Sequence, residues 1–340
     1  MVGGFYFPPK KSMDIIINIA YFIGGLIAIV KGADWLTDGA AAIAHKFGIP
    51  TLVVGLTIVA MGSSAPELVV SVVSAIHGNS DIALGNVVGS NIFNILGIMG
   101  ITAMVTPIKV ERGNIRYDVP FAVLAAVAVI ITVLDSVFNG SDYTNSISRT
   151  DGLLLLCIFI IFMVYTLSIA QKGNSNSSNA TEEQDIPTLP TWRSVLYIVI
   201  GLALLVAGGN FLVEGASGIA IAMGISQAVV ALTIVSAGTS APELAASIMS
   251  ARKGDTAMAL GNVVGSNVFN VFFVLGTAAT IQPIGAGGIT IFDLSALLVS
   301  AMLLWIFCKF GKTFYTLTRT EGAVLAALAI TYYAVLVINS

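Results

Sequence analysis

The chain has 340 residues, of which 56% are hydrophobic and only 10% are charged. Soluble domains carry about 25% charged residues, so this composition excludes an ordinary soluble domain and indicates a protein with several membrane spans. The net charge of −3 comes from few side chains, and the basic residues form no stripe along the sequence. We therefore expect no nucleic-acid partner.

Apolar windows of about 20 residues, the length that crosses a bilayer as a helix, recur along the chain. The first five lie near 14–40, 50–77, 81–106, 117–135 and 152–171. No small-residue cleavage site closes the first window, so we expect it to be retained as a span.

A polar segment then interrupts the apolar pattern. Residues 172–192 are rich in Ser, Asn, Pro and acidic residues, which predicts a solvated linker. Five further apolar windows lie near 193–222, 226–252, 256–282, 291–308 and 320–338. The sequence therefore predicts an all-α polytopic membrane protein with about ten transmembrane helices, divided into spans 1–5 (residues 1–171), the linker, and spans 6–10 (residues 193–340).

The two groups of five spans are copies of one repeat. A shift of 176 residues aligns TIVAMGSSAPEL (57–68) with TIVSAGTSAPEL (233–244), and LGNVVGSNIFN (84–94) with LGNVVGSNVFN (260–270). Because each copy has an odd number of spans, the second copy must cross the membrane upside down relative to the first. Inverted repeats of this kind bring equivalent sites together near the bilayer midplane.

The loop charges predict the orientation, since cytoplasmic loops of membrane proteins are enriched in Lys and Arg. One side of the predicted topology carries Lys46, Lys109, Arg112, Arg116, Lys172, Arg193, Arg252, Lys253, Lys309, Lys312 and Arg319, and the other carries Lys10, Lys11 and Arg149. We therefore expect the linker to be cytoplasmic and both termini to be extracytoplasmic, in a plasma (inner) membrane.

One glutamate in each repeat, Glu67 or Glu243, lies inside an otherwise apolar span. A carboxylate at that depth costs about 2.5–3.5 kcal/mol on insertion scales, so two such groups need a compensating partner. A hard cation such as Ca²⁺ or Na⁺, which prefers oxygen ligands, is the partner we expect.

Glycine and proline near these glutamates predict that spans 2 and 7 are broken into half-helices. Gly62 and Gly238 loosen the helix, and Pro66 and Pro242 lack the N–H that a helix interior needs. A break frees backbone carbonyls and directs a half-helix terminus at the site. The alternative is structural: S-x-x-E at Ser64 and Ser240 is also the pattern of a capping box, in which the glutamate only completes a helix start.

The GNVVGSN-x-FN motif follows each glutamate at the same distance. Its small residues suit close helix packing, which is a purely structural role. Its asparagines Asn94 and Asn270 need partners inside hydrocarbon, and each offers a carbonyl oxygen to a cation without adding charge. Both interpretations can hold together.

Asp34, Asp38 and Glu214 are the other acidic residues that we place near membrane depth. Lys31 precedes Asp34 by three positions, so we expect an ion cluster on one helix face rather than a cation site.

In its two repeated motifs the sequence resembles the sodium/calcium exchanger family of the calcium/cation antiporter superfamily. Its short linker is similar to that of prokaryotic members. The resemblance rests on two inverted five-span halves with paired G-[ST]-S-x-P-E and GNxxGSN motifs, and it covers nearly the whole chain. It implies a secondary active antiporter that exchanges Na⁺ for Ca²⁺ by alternating access, with spans 1 and 6 sliding across the core. It implies no cofactor beyond the transported ions, and it does not identify protein partners.

The resemblance also implies a ligand set. Glu67 and Glu243 would be central ligands of Ca²⁺ and Na⁺, faced by Asn94 and Asn270. The remaining ligands would be the backbone and hydroxyl oxygens of Ser63 and Thr239, and, for flanking Na⁺ sites, Ser64, Ser90, Ser240 and Ser266 with the carbonyls of Ala60 and Ser236.

Asn270 departs from some relatives in the superfamily, which carry aspartate there. With two carboxylates the site has a charge of −2, so one Ca²⁺ neutralises it and three Na⁺ leave +1. The resemblance therefore implies electrogenic exchange, with K⁺ independence as a further hypothesis. Exchange of Ca²⁺ for H⁺ on the same scaffold is the alternative.

Two other classes of protein fit less well. An intramembrane enzyme could use two buried carboxylates as an acid/base pair, but the chain has no G-x-S-x-G motif and its glutamates lie in matching ligand-rich turns. A channel can use the same kinds of ligand, but paired broken helices in inverted repeats favour a carrier.

Overall fold

A computed structural model describes residues 15–140, 142, 144–176, 189–223 and 236–339. Three parts of the predicted topology lie outside the described residues: the stretch before the first span, most of the linker, and the first half of the seventh apolar window.

The described chain is almost entirely helical, because its apolar windows can satisfy their backbone groups in a membrane only within helices. The helices are α1 Ile15–Phe47, α2 Thr51–Ser63, α3 Ala65–Ile76, α4 Ser80–Val105, α5 Arg112–Val133, α6 Asp135–Asn139, α7 Arg149–Asn176, α8 Thr191–Ala222, α9 Ser236–Thr239, α10 Ala241–Arg252, α11 Thr256–Ile281, α12 Ile291–Phe310 and α13 Arg319–Asn339. Wider π-helical turns interrupt α2 at Gly55–Val59, α4 at Phe93–Met99 and α11 at Phe269–Leu275.

Within the described ranges, eight helices are long and apolar enough to cross a membrane, and the bent pair α2–α3 makes a ninth candidate. The predicted class, an all-α polytopic membrane protein, is confirmed. The count of ten spans and the division at the linker stay predictions, because the segment before α9 is not described.

The core of the molecule is formed by α4 and α11, which carry the repeated GNVVGSN motif. In the most apolar windows of these helices 78% and 94% of residues are buried, against 22% in α1 and 28% in α8. The four apolar helices thus have different surroundings. α4 and α11 pack against protein on most sides, whereas α1 and α8 present isoleucine, leucine and phenylalanine outward.

The repeat-related helices α1 and α8 pack against each other along their length through glycine. A Cβ at Gly25 would lie 2.7 Å from the carbonyl oxygen of Gly208, and one at Gly201 would lie 2.8 Å from the carbonyl oxygen of Gly32. Contacts early in α1 thus pair with contacts late in α8, so the two helices are antiparallel. That is the relation that inverted repeats require.

Two short antiparallel strand pairs, which the sequence did not predict, connect distant segments at the helix ends. β1 (Ile108–Lys109) pairs with β4 (Thr316–Leu317), and β2 (Ser146–Ile147) pairs with β3 (Ile284–Gly285). β1 and β3 occupy the same place in the two repeats. In each strand pair, one strand comes from the first repeat and the other from the second.

The helices α7 and α8 extend a few residues into the predicted linker, since α7 continues to Asn176 and α8 begins at Thr191. One expectation needs correction. The predicted partner of Asp34 and Asp38 is wrong: Lys253, which follows α10, lies 2.6 Å and 2.8 Å from their carboxylates. A lysine more than 200 residues away was not visible in the helix periodicity that suggested Lys31.

The contact between α1 and α8 predicts a difference between adjacent glycines. Gly25→Ala should lower the free energy of unfolding by about 1–3 kcal/mol, because the new methyl group meets backbone atoms that cannot move aside. Gly24→Ala is the matched control, since a Cβ at Gly24 meets nothing within 4 Å. Thermal unfolding in detergent measures both variants, and equal melting temperatures would contradict the packing described here.

Candidate cation site

The predicted breaks lie at Ser64 and Ser240. α2 and α3 meet at Ser64 with a bend of 49°, and α9 and α10 meet at Ser240 in the same way. Pro66 and Pro242 lie in the first turn of the second half-helix, where a backbone N–H has no partner to lose. The prolines thus begin a half-helix, and the serine before them terminates the preceding one.

Glu67 and Glu243 follow these breaks in the first turns of α3 and α10. A helix N-terminus favours negative charge, so the local fold suits a carboxylate at each position. Both side chains are only 1% exposed. Two carboxylates are therefore buried in the protein interior, and within the described ranges no lysine or arginine is bonded to either.

Serine and glutamate pair across the two repeats rather than within one. The Ser64 hydroxyl donates to Oε1 of Glu243 at 2.9 Å, and the Ser240 hydroxyl donates to Oε1 of Glu67 at 3.5 Å. Neither serine makes the side-chain cap that a capping box requires. The capping-box alternative is therefore wrong, and the repeated motif joins the two half-helices at one place through these bonds.

Several buried oxygens of the predicted ligands have no hydrogen-bond partner in the described part of the chain. They are Oε2 of Glu67, Oε2 of Glu243, Oδ1 of Asn94, Oδ1 of Asn270 and Oγ of Ser266. An unsatisfied buried polar group costs about 1–3 kcal/mol, and more when it is charged. An oxygen-rich set with this deficit is the environment that a hard cation offsets.

Two other buried carboxylates, those of Asp118 and Asp293, accept hydrogen bonds from tyrosine. Asp118 accepts from the Tyr165 hydroxyl at 3.0 Å, and Asp293 accepts from Tyr332 at 2.8 Å and from Thr290. The sequence analysis overlooked both aspartates at membrane depth. Among the carboxylates of the described residues, a fully buried oxygen without a hydrogen-bond partner occurs at Glu67 and Glu243 only.

The remaining predicted ligands lie along the same two breaks and core helices. Ser63 is buried, and its hydroxyl donates to the Ala60 carbonyl at 3.3 Å and to Oδ1 of Asn262 at 3.4 Å. Ser90 and Ser266 are buried one turn before Asn94 and Asn270. Ser236 and Thr239 begin and end α9, and the Thr239 side chain is half-buried.

The half-helices cross from one repeat to the other. α3, which carries Glu67, packs against the π-helical turn of α11 that contains Asn270, and α10, which carries Glu243, packs against the π-helical turn of α4 that contains Asn94. π-Helical turns are rare and occur often at functional sites. Each carboxylate therefore lies on a segment in contact with the amide-bearing turn of the other repeat.

Sequence reasoning missed a second pair of asparagines that hold the half-helices. Asn86 donates to the Glu67 carbonyl at 3.2 Å and to the Ser71 hydroxyl at 2.9 Å. Asn262 makes the same two bonds to Glu243 and Ser247, at 3.1 Å and 2.8 Å. The available signal was the one used for Asn94: an amide repeated at membrane depth must find partners.

Comparisons with known proteins identify the family of the chain. The family model described as sodium/calcium exchanger protein matches residues 17–168 and 193–338. The chain belongs to the sodium/calcium exchanger family. It is therefore a transporter of an exchanger family and an integral multi-pass membrane protein.

Individual relatives match over nearly their whole length. The chain is 37% identical to the putative antiporter CaxA of Alkalimonas amylolytica, with 94% of this chain and 98% of the relative covered. It is 29% identical to the sodium/calcium exchanger MaX1 of Methanosarcina acetivorans, with 95% and 99% covered. A solved structure of the sodium-calcium exchanger NCX_Mj, soaked with 10 mM Na⁺ and zero Ca²⁺, matches with a TM-score of 0.78 and 30% identity over 94% of this chain and 99% of that one.

The bonds of Asn262 predict a large effect on stability. Asn262→Ala removes three buried hydrogen bonds, which the amide makes with the Glu243 carbonyl and with the hydroxyls of Ser63 and Ser247. We expect a loss of about 1–3 kcal/mol in the free energy of unfolding. Asn210→Ala is the control, because Asn210 is exposed. Thermal unfolding in detergent measures both variants, and equal melting temperatures would contradict the assignment.

Proposed function

We propose that this protein exchanges Na⁺ for Ca²⁺ across a membrane, with Glu67 and Glu243 as the central ligands shared by the two ions. The observation that carries the proposal is the set of unpaired buried oxygens on the two glutamates and on Asn94 and Asn270. Family membership and the sodium/calcium exchanger relatives support the choice of ions.

The donor set suits both ions by charge and by number. Ca²⁺ takes six to eight oxygen ligands, including carboxylates and amide carbonyls. Glu67, Glu243, Asn94 and Asn270 supply such oxygens, and we assign the further oxygens of Ser63 and Thr239 to the same centre. Ser64, Ser90, Ser240 and Ser266, with the carbonyls of Ala60 and Ser236, are the ligands that we assign to flanking Na⁺ sites.

The number of carboxylates sets the charge that moves. One Ca²⁺ neutralises the two ionised glutamates, whereas three Na⁺ leave a net charge of +1. Exchange of three Na⁺ for one Ca²⁺ would therefore be electrogenic. Asn270 contributes no third carboxylate, which is the basis for expecting no K⁺ requirement.

Access to the site would change by movement of α1 and α8 against the core. The two helices pack closely on each other through glycine, and they share a hydrophobic cluster with residues of α2, α10 and α11, so we expect them to move as a pair across that contact. The ion pairs from Lys253 to Asp34 and Asp38 join α1 to the end of α10. A slide of α1 has to break these bonds, so they stabilise one of the two access states.

The distribution of Lys and Arg among the loops supports a plasma-membrane orientation with the linker in the cytoplasm and both termini outside. In that orientation the Lys253 ion pairs lie toward the cytoplasm. The inward Na⁺ gradient of a cell would then drive Ca²⁺ out.

Flux measurements test the ions directly. In proteoliposomes loaded with Na⁺, we expect ⁴⁵Ca²⁺ uptake that disappears when choline replaces Na⁺ and that is indifferent to K⁺. A pH gradient without Na⁺ should drive no uptake. Uptake that follows the pH gradient alone would contradict the proposal and support Ca²⁺/H⁺ exchange, which the family and its solved neighbours do not favour.

The central role of the glutamates predicts a loss of exchange without a loss of fold. Glu67→Gln and Glu243→Gln should each reduce Na⁺-dependent Ca²⁺ uptake to background, because the site then carries one charge and cannot neutralise Ca²⁺. Glu111→Gln, at an exposed acid outside the site, should retain uptake. Both glutamine variants should elute as folded protein on size exclusion, and full exchange in either one would contradict the assignment.

A further inference from the structure

A third pair of asparagines, Asn91 and Asn267, lies beside the ligand amides and is absent from the ligand set given above. The two residues occupy the same position in the two repeats, and each is only 1% exposed. An amide buried in this way needs hydrogen-bond partners for both its N–H and its carbonyl groups. Only one of the two asparagines has them.

Asn91 is fully engaged. Its Nδ2 donates to the backbone carbonyl of Asn267 at 3.1 Å, and its Oδ1 accepts from Nδ2 of Asn270 at 3.1 Å. The second bond fixes the amide of Asn270. Because the amide nitrogen is held by Asn91, the amide oxygen of Asn270 is the atom left without a partner, and it is available to a cation.

Asn267 makes no equivalent bonds in the described part of the chain. Both Oδ1 and Nδ2 of its side chain are buried without a partner, and so is Oδ1 of Asn94. The repeat relation identifies the missing partners: the backbone carbonyl of Asn91 and the amide nitrogen of Asn94. The two halves of the site are therefore in different states, with the amide clamp formed around Asn270 and open around Asn94.

We propose that Asn91 and Asn267 are positioning residues that alternately orient the ligand amides of the opposite repeat. Asn91 holds Asn270 in the state described here, and Asn267 holds Asn94 in the other access state. The inference rests on the proposed cation site. It adds to that site a pair of amides that fix the orientation of one ligand amide at a time.

Inverted repeats supply the physical reason for alternation. In such transporters one bundle moves against the rest of the protein around the midplane site, and segments related by the repeat can exchange environments between the two access states. Leaving the Asn267 amide unpaired costs free energy in the present state. Forming the clamp around Asn94 while the clamp around Asn270 opens moves that cost to Asn91, and the two states stay close in free energy.

A double-mutant cycle on Ca²⁺ binding tests the clamp. Asn91→Ala should weaken Ca²⁺ binding to purified protein about three- to tenfold, the worth of one net hydrogen bond. In an Asn270→Asp background the same substitution should change binding less than twofold, because a carboxylate has two equivalent oxygens and needs no fixed orientation. If Asn91 only packed helices together, Asn91→Ala would weaken binding by the same factor in both backgrounds, and the clamp would be refuted.

Sidedness tests the alternation. In membrane vesicles of defined orientation, Asn91→Ala and Asn267→Ala should raise the Ca²⁺ concentration for half-maximal exchange on opposite faces of the membrane. An equal rise on both faces in each variant would overturn the alternation. If an alanine variant does not fold, Asn91→Ser and Asn267→Ser serve in the same assays, since serine keeps a small polar group.

The wild type separates this inference from the function on which it rests. If wild-type protein shows no Na⁺-dependent Ca²⁺ flux, the proposed function fails. If the wild type exchanges the ions, and Asn91→Ala weakens Ca²⁺ binding by the same factor with Asn270 and with Asp at that position, the function stands and the clamp is wrong.

Discussion

The burial of two carboxylates, with no lysine or arginine bonded to them in the described part of the chain, is the constraint on which the rest of this structure depends. Glu67 and Glu243 are almost fully enclosed, and each keeps one oxygen that no described group satisfies. Carboxylates at this depth are costly in a membrane protein. We propose that a cation completes this arrangement, and that its occupancy is the event to which the protein responds.

Everything around the glutamates keeps them in position. The breaks at Ser64 and Ser240 place each carboxylate in the first turn of a half-helix, where the backbone favours negative charge. Asn86 and Asn262 then tie those half-helices to the core helices α4 and α11. These bonds fasten both half-helices to the core, whereas α1 and α8 are joined to each other through close contacts at glycine. A fixed site with a separable pair of outer helices is the plan that alternating access needs.

Much of this could be predicted from the sequence, because the signals are local or repeated. Hydropathy predicted the helices, and the matching motifs predicted that Glu67, Glu243, Asn94 and Asn270 belong to one site. Long-range partners could not be predicted. The bond from Ser64 to Glu243 crosses between the repeats, where the local pattern suggested a capping box, and the bonds from Lys253 to Asp34 and Asp38 replaced a local pairing with Lys31. Asp118 and Asp293 were overlooked because their tyrosine partners are distant in the sequence.

The account depends most directly on where a divalent cation binds. Crystals of the protein soaked with Sr²⁺, a substitute for Ca²⁺ with strong anomalous scattering, would locate that position in the molecule. The account predicts an anomalous peak within coordination distance of Oε2 of Glu67 and Oε2 of Glu243, with the amide oxygens of Asn94 or Asn270 completing the shell, and the loss of that peak when excess Na⁺ is added. A peak elsewhere with none between the two glutamates would contradict it.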